Sequence, residues 1–148
     1  GSLVPMRLLV RRKVQMQMVM SKQNYPSITA TTKARGDLAE TQSLQQLTAA
    51  GLTLLKRNYR SPGRGGGEID LIMREPDGTV VFVEVRARQQ SAFGGAAASV
   101  GRLKQRRIIF TARHFLSRLT VLPPCRFDVM AREADAWVWL KGAFDVER

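Results

Sequence analysis

At 148 residues the chain has the length of a single domain that can bury a core, and its 44% apolar content is ordinary for a soluble globular protein. Cys125 and His114 stand alone in their types, which excludes an intramolecular disulfide, a cysteine cage and a His-pair metal site. The lone cysteine fits a reducing, cytoplasmic setting, and with no apolar stretch long enough to span a bilayer no membrane partner is expected.

The formal net charge of +12 points to a polyanionic partner, and its 18 arginines outnumber its 6 lysines. Arginine suits phosphate because its planar fork binds bidentately. The charge is uneven. Residues 1–36 hold seven basic residues and no acid, and the other 112 residues carry a net of +5.

Taken in chain order, GSLVP resembles a cloning remnant, and residues 1–33 are expected to be a basic, poorly ordered N-terminal extension or tag. The domain is then expected over 34–148. The spacing predicts a helix over 34–50, closed by Gly51. A strand follows over 51–60, then the flexible loop SPGRGGG over 61–67. Two strands joined by a tight turn read GEIDLIMREPDGTVVFVEVRAR over 67–88. After a small-residue loop over 90–99, a helix is expected over 100–119, stopped by Pro123 and Pro124, and strands over 126–132 and 136–140. Helix, three strands, helix and two strands make an α/β fold, a mixed β-sheet flanked by helices.

The acids inside the paired strands carry the functional reading. Pro76, Asp77 and Gly78 suit a type I turn followed by a left-handed glycine. That turn sets Met73 opposite Val81, Leu71 opposite Val83, Asp70 opposite Glu84 and Glu68 opposite Arg86. Ile69, Leu71, Met73, Val81, Val83 and Val85 then share one apolar face, and Asp70 and Glu84 share the other. Opposed carboxylates repel unless a cation or a proton lies between them, and a hard divalent ion takes such oxygen ligands. Glu40 falls on the apolar stripe of the first helix, and Lys104 on the packed side of the second. Trp137 and Trp139 are expected to pack within a strand, His114 to sit on a helix surface, and Cys125 to be buried or inert. The glycines of 61–67 lack the Gly-Lys-Ser/Thr ending of a phosphate-binding loop.

Asp70 followed by Glu84-Val85-Arg86 resembles the PD-(D/E)xK nucleases of the restriction-endonuclease-like fold. More closely, GEIDLI, VFVEVRAR, Phe93-Gly94, Lys104 and RFDV are similar to the YraN family of uncharacterised bacterial proteins, over about residues 35–144. The resemblance implies a restriction-endonuclease-like mixed sheet and metal-dependent cleavage of DNA phosphodiester bonds. Asp70 and Glu84 match its metal-binding acids, for Mg²⁺ or Mn²⁺, and Glu40 matches an acid supplied by the first helix. Arg86 stands where the superfamily usually has lysine. A guanidinium accepts no proton, so Arg86 is expected to contact the scissile phosphate, leaving activation of water to the metal. Arg60, Arg64, Arg88, Lys104 and Arg107 are the expected nucleic-acid-binding residues, through the backbone. A homodimer is expected as an option, since such nucleases often pair. The alternative is a catalytically inactive nucleic-acid-binding module of the same fold, with Arg86 as the cause.

Overall fold

The computed structural model describes residues 9–10, 15–20, 32–87, 100–133 and 135–146. Arg88, Phe93 and Gly94 lie outside these residues, as does most of the expected extension. Within that extension, β1 (Leu9–Val10) runs parallel to the start of β6 (Pro124–Glu133), and β2 (Gln15–Met20) pairs antiparallel with β7 (Ala136–Phe144). The body of the sheet is β3 (Thr53–Arg60), β4 (Glu68–Arg74), β5 (Val80–Ala87), β6 and β7, in the order β7-β6-β5-β4-β3. All these neighbours are antiparallel except β5 and β6, whose parallel pairing is made through a crossover containing α2 (Arg102–Leu116). The mixed α/β sheet expected from the sequence is present.

Helix α1 (Thr32–Ala49) ends as its sequence dictates. Gly51 takes φ +101°, and the Leu52 N–H reaches back to the Leu47 carbonyl at 3.1 Å, which satisfies an otherwise orphaned acceptor. Ala39 and Leu47 then press onto Leu71, Met73, Val81, Val83, Met130, Trp137 and Trp139 on one face of the sheet. On the other face, α2 lays Ile108, Ala112, Phe115 and Leu116 against Ile72, Phe82, Phe127 and Val129. Both tryptophans are therefore core residues, as expected, and offer no stacking surface. Cys125 is buried, and burial followed by the charge of Asp145 pushes its thiol up to about 12, so it is inert.

The β4–β5 turn forms as Pro76-Asp77-Gly78 requires. Gly78 has φ +94°, Glu75 and Thr79 are joined at 2.8 Å, and the Asp77 carboxylate accepts the Thr79 N–H at 2.9 Å. The pairs Met73–Val81, Ile72–Phe82 and Leu71–Val83 follow in the expected register.

There the ladder stops, and two expectations need correction. Asp70 and Glu84 are not a regular cross-strand pair, nor are Glu68 and Arg86. Ile69 lies in the core beneath α2 with Ile72 and Phe82, not with Leu71 and Met73. The break falls beside Asn58. This residue stands opposite Asp70, between the pairs Arg57–Leu71 and Tyr59–Ile69, and has φ +53°, a left-handed conformation that Asn tolerates better than most residues. Alternation fails at that point, and Tyr59 and Ile69 turn together toward α2. His114 is corrected as well, because its Nδ1 shares a 2.6 Å hydrogen bond with the Tyr59 hydroxyl and it is half-buried.

Candidate functional site

Where the β4–β5 ladder ends, a side chain takes over the work of the backbone. Asp70 Oδ2 accepts the Val85 N–H at 2.8 Å, so a carboxylate replaces the acceptor that a ladder residue would have supplied. This substitution fixes Asp70 between the splayed strands and turns it toward Glu84. Both carboxylates line a cleft of about 530 Å³, together with Gly67, Glu68, Lys104 and Arg107.

The electrostatics of the cleft are lopsided. Asp70 has its carboxyl pushed up to about 8, first by burial, next by the charge of Glu84, and further by Glu40. The Val85 N–H and Lys104 act in the opposite direction without cancelling the shift. Glu84 is only 5% exposed, yet it has cations: Lys104 Nζ lies 2.8 Å and Arg86 Nε 3.5 Å from its Oε1. The Arg86 Nε is buried and meets hydrogen-bond geometry with no acceptor among the described residues, so its link to Glu84 is an ion pair alone.

Glu40 of α1 acts on Asp70 through its charge without lining the cleft. Its Oε1 accepts hydrogen bonds from Asn58 Nδ2 at 2.8 Å and Arg57 Nε at 3.4 Å. Arg57 is itself held by the Asp37 carbonyl and Thr41 Oγ1, both at 3.0 Å. The residue beside the break thus also positions the third acid. Nothing in the sequence marked Asn58 for this role beyond its tolerance of a left-handed backbone.

The expected basic residues divide. Lys104 and Arg107 line the cleft. Arg60 bonds Glu68 at 2.9 Å near its rim, and Arg64 is exposed on the 61–67 loop without lining the cleft. That loop is tied down. Thr111 Oγ1 accepts the Gly67 N–H at 2.9 Å, faces the Gly67 carbonyl at 3.1 Å, and meets Ser61 Oγ at 3.1 Å. A side chain at Gly66 would begin 2.0 Å from Ser61 Oγ and 3.0 Å from Thr111 Oγ1, so glycine is what lets the loop close onto α2.

The role of a second aspartate, Asp128, escaped the sequence reading. Asp128 is fully buried and accepts from Arg126 Nε at 2.8 Å, Trp139 Nε1 at 2.8 Å and the Gly142 N–H at 2.9 Å. Arg126 bridges onward to Glu75 at 3.1 and 3.2 Å. Burial lowers the proton affinity of Arg126, but its bonds to Asp128 and Glu75 outweigh that and raise it. The alternation of Arg126 and Asp128 on one strand face was the available signal.

Among the described residues no group of three or more His, Cys, Asp or Glu side chains is arranged to hold a metal ion, and no helix is long and apolar enough to cross a membrane. The two cleft carboxylates still suit a hard divalent ion, because Mg²⁺ is commonly held by one or two carboxylates and completed by water and phosphate oxygens. The repulsion that Glu84 exerts on a charged Asp70 is what such an ion would relieve.

Comparison with known proteins covers the residues of the cleft. The model of the uncharacterised protein family UPF0102 matches residues 39–131. A UPF0102 protein of Acidovorax sp. (strain JS42) is 59% identical over 124 residues, spanning 84% of this chain and 94% of the relative. A UPF0102 protein of Albidiferax ferrireducens is 63% identical over 115 residues, spanning 78% of this chain and 90% of the relative. The chain belongs to UPF0102, the YraN family, whose proposed place in the PD-(D/E)xK superfamily is consistent with the fold.

Proposed function

We propose that the protein is a Mg²⁺- or Mn²⁺-dependent endonuclease that cleaves DNA phosphodiester bonds. The observation that carries this reading is Asp70, a partly buried carboxylate on which the strongest charge effect comes from another acid, in a cleft also lined by Lys104 and Arg107. A carboxyl group raised to about 8 by burial and like charge is costly unless the site has a use for it.

Asp70 and Glu84 are the residues that hold the ion. When bound, the ion supplies Lewis-acid polarisation of the phosphate and lowers the pKa of a coordinated water. Glu40, fixed by Asn58 and Arg57, adds to the negative field at Asp70. Arg86, whose Nε pairs with Glu84 at 3.5 Å, is the residue assigned to the scissile phosphate, where a guanidinium would stabilise the charge that develops on phosphorus. Lys104 is 44% exposed and, with Arg107, draws the DNA backbone into the cleft.

One observation favours a second reading, a catalytically inactive nucleic-acid-binding module. Glu84 already has two cations, and one of them is the Arg86 that stands in the usual lysine position. The experiment that decides is cleavage of supercoiled plasmid and of a branched DNA in Mg²⁺, Mn²⁺ or EDTA, beside Asp70→Ala and Glu84→Ala. Cutting that needs metal and is lost in both variants supports the nuclease. No cutting, with salt-sensitive binding that survives EDTA and both substitutions, supports the module.

A further inference from the structure

Helix α2 has two basic stripes, and only one faces the cleft. Lys104 and Arg107 line the cleft, whereas Arg102, Arg106 and Arg113 line a separate groove of about 360 Å³ on the same helix, with Phe110 among them. The positions recur every three or four residues, as one helical face requires.

Phe110 is the unusual member. It is a large aromatic residue in the middle of a basic face and 46% exposed. Its ring is backed by the glycine loop, lying 3.6–3.8 Å from where a Gly65 side chain would begin. The Thr111 hydrogen bonds to Gly67 hold that loop in place, so the ring is supported on one side and open on the other. Cations that track a backbone beside an aromatic platform suit an unpaired strand, because bases of duplex DNA are already stacked on each other. Groove and cleft are both lined from α2, the groove by Arg106 and Arg113 and the cleft by Lys104 and Arg107.

We infer that the outer face of α2 is a second binding site, for an unpaired strand of DNA, on which a base stacks against Phe110 while Arg106 and Arg113 hold the flanking phosphates. The inference rests on the DNA-directed reading of the cleft and specifies its substrate class, DNA with a single-stranded arm beside the bond to be cut.

The test is binding of a fluorescein-labelled thymidine 20-mer, a duplex of equal length and a ribo-uridine 20-mer, by anisotropy in EDTA, with Phe110→Ala, Phe110→Leu and Arg113→Ala. Phe110 is exposed and Arg113 is a surface residue, so these variants are expected to fold, and circular dichroism checks this. The wild type should bind the thymidine strand more tightly than the duplex or the ribo-oligomer. Phe110→Ala and Phe110→Leu should both weaken that binding roughly tenfold, since leucine keeps the apolar area and loses the ring face. Arg113→Ala should lower the salt dependence by about one phosphate contact. Equal affinity for duplex, preference for the ribo-oligomer, or Phe110 variants that bind like the wild type would each overturn the inference. Because EDTA removes cleavage from the measurement, metal-dependent cutting by a protein that fails these tests would leave the nuclease reading intact and remove only the single-strand site.

Discussion

Two aspartates in this protein do the same backbone job in opposite electrostatic surroundings. Asp70 accepts the Val85 N–H where the β4–β5 ladder ends, and Asp128 accepts the Gly142 N–H where the β6–β7 register shifts. Asp128 is compensated by Arg126 and Trp139 and lies in the closed core. Asp70 has Glu84 and Glu40 for neighbours and opens onto a cleft. One is a structural acid with its charge neutralised in place. The other is kept short of positive charge, which is the condition of a site that awaits a ligand.

The largest expected effect tests the structural half of this contrast. Asp128→Ala leaves the Arg126 cation buried and the Trp139 and Gly142 donors without an acceptor, and breaking a buried pair this way costs about 3–5 kcal/mol. Urea unfolding should show a much lower midpoint, or the variant should fail to accumulate as folded protein. Asp70→Asn should behave differently. It keeps an oxygen for the Val85 N–H and removes a repelled charge, so in EDTA at pH 8 the variant should be as stable as the wild type or more so, while metal-dependent cleavage is lost.

The contrast also has a pH signature. The carboxyl of Asp70 is raised in the folded state from 3.8 to about 8, so the folded protein holds a proton that the unfolded chain has released. The stability gained this way is full below about pH 4 and is lost as pH rises through about 8. In EDTA, wild type measured against Asp70→Asn should therefore lose ground across this window, by at least about 1 kcal/mol, roughly the equivalent of one pKa unit. Flat behaviour of the difference would mean that Glu84 and burial do not act on Asp70 as described.

Smaller effects lie around the site. Asn58→Ala removes a hydrogen bond to Glu40 and places a Cβ-bearing residue without a local polar partner at φ +53°, a cost of about 1–2 kcal/mol. Asn58→Gly should cost less, because glycine accepts the backbone conformation and only the bond is lost. Arg60→Ala should change stability by less than about 1 kcal/mol, because its pair with Glu68 is solvent-exposed.

Much of the fold was legible in the sequence, for local reasons. Gly51 ended α1, and Pro76-Asp77-Gly78 set the hairpin register, because turn chemistry is written in adjacent residues. Asp70, Glu84 and Lys104 meet at one cleft, as strand parity and helix spacing suggested. The end of the ladder was not legible. It is marked by a side chain that displaces a backbone acceptor, beside a left-handed Asn in the neighbouring strand, and neither alters the hydrophobic pattern around Asp70. The Asp128 network was hidden for a related reason, since its partners Glu75, Trp139 and Gly142 are distant in sequence. The arginine stripe on α2 was readable at helical spacing, but which face it occupies depends on how α2 packs.

The central claim, that Asp70 and Glu84 form a cation site, is tested most directly by calorimetric titration of Mn²⁺ into wild type, Asp70→Asn and Glu84→Gln at pH 8. The account predicts saturable binding by the wild type and at least about tenfold weaker binding in both variants, whose folds remain intact. No saturable binding, or an affinity unchanged by either substitution, would contradict it.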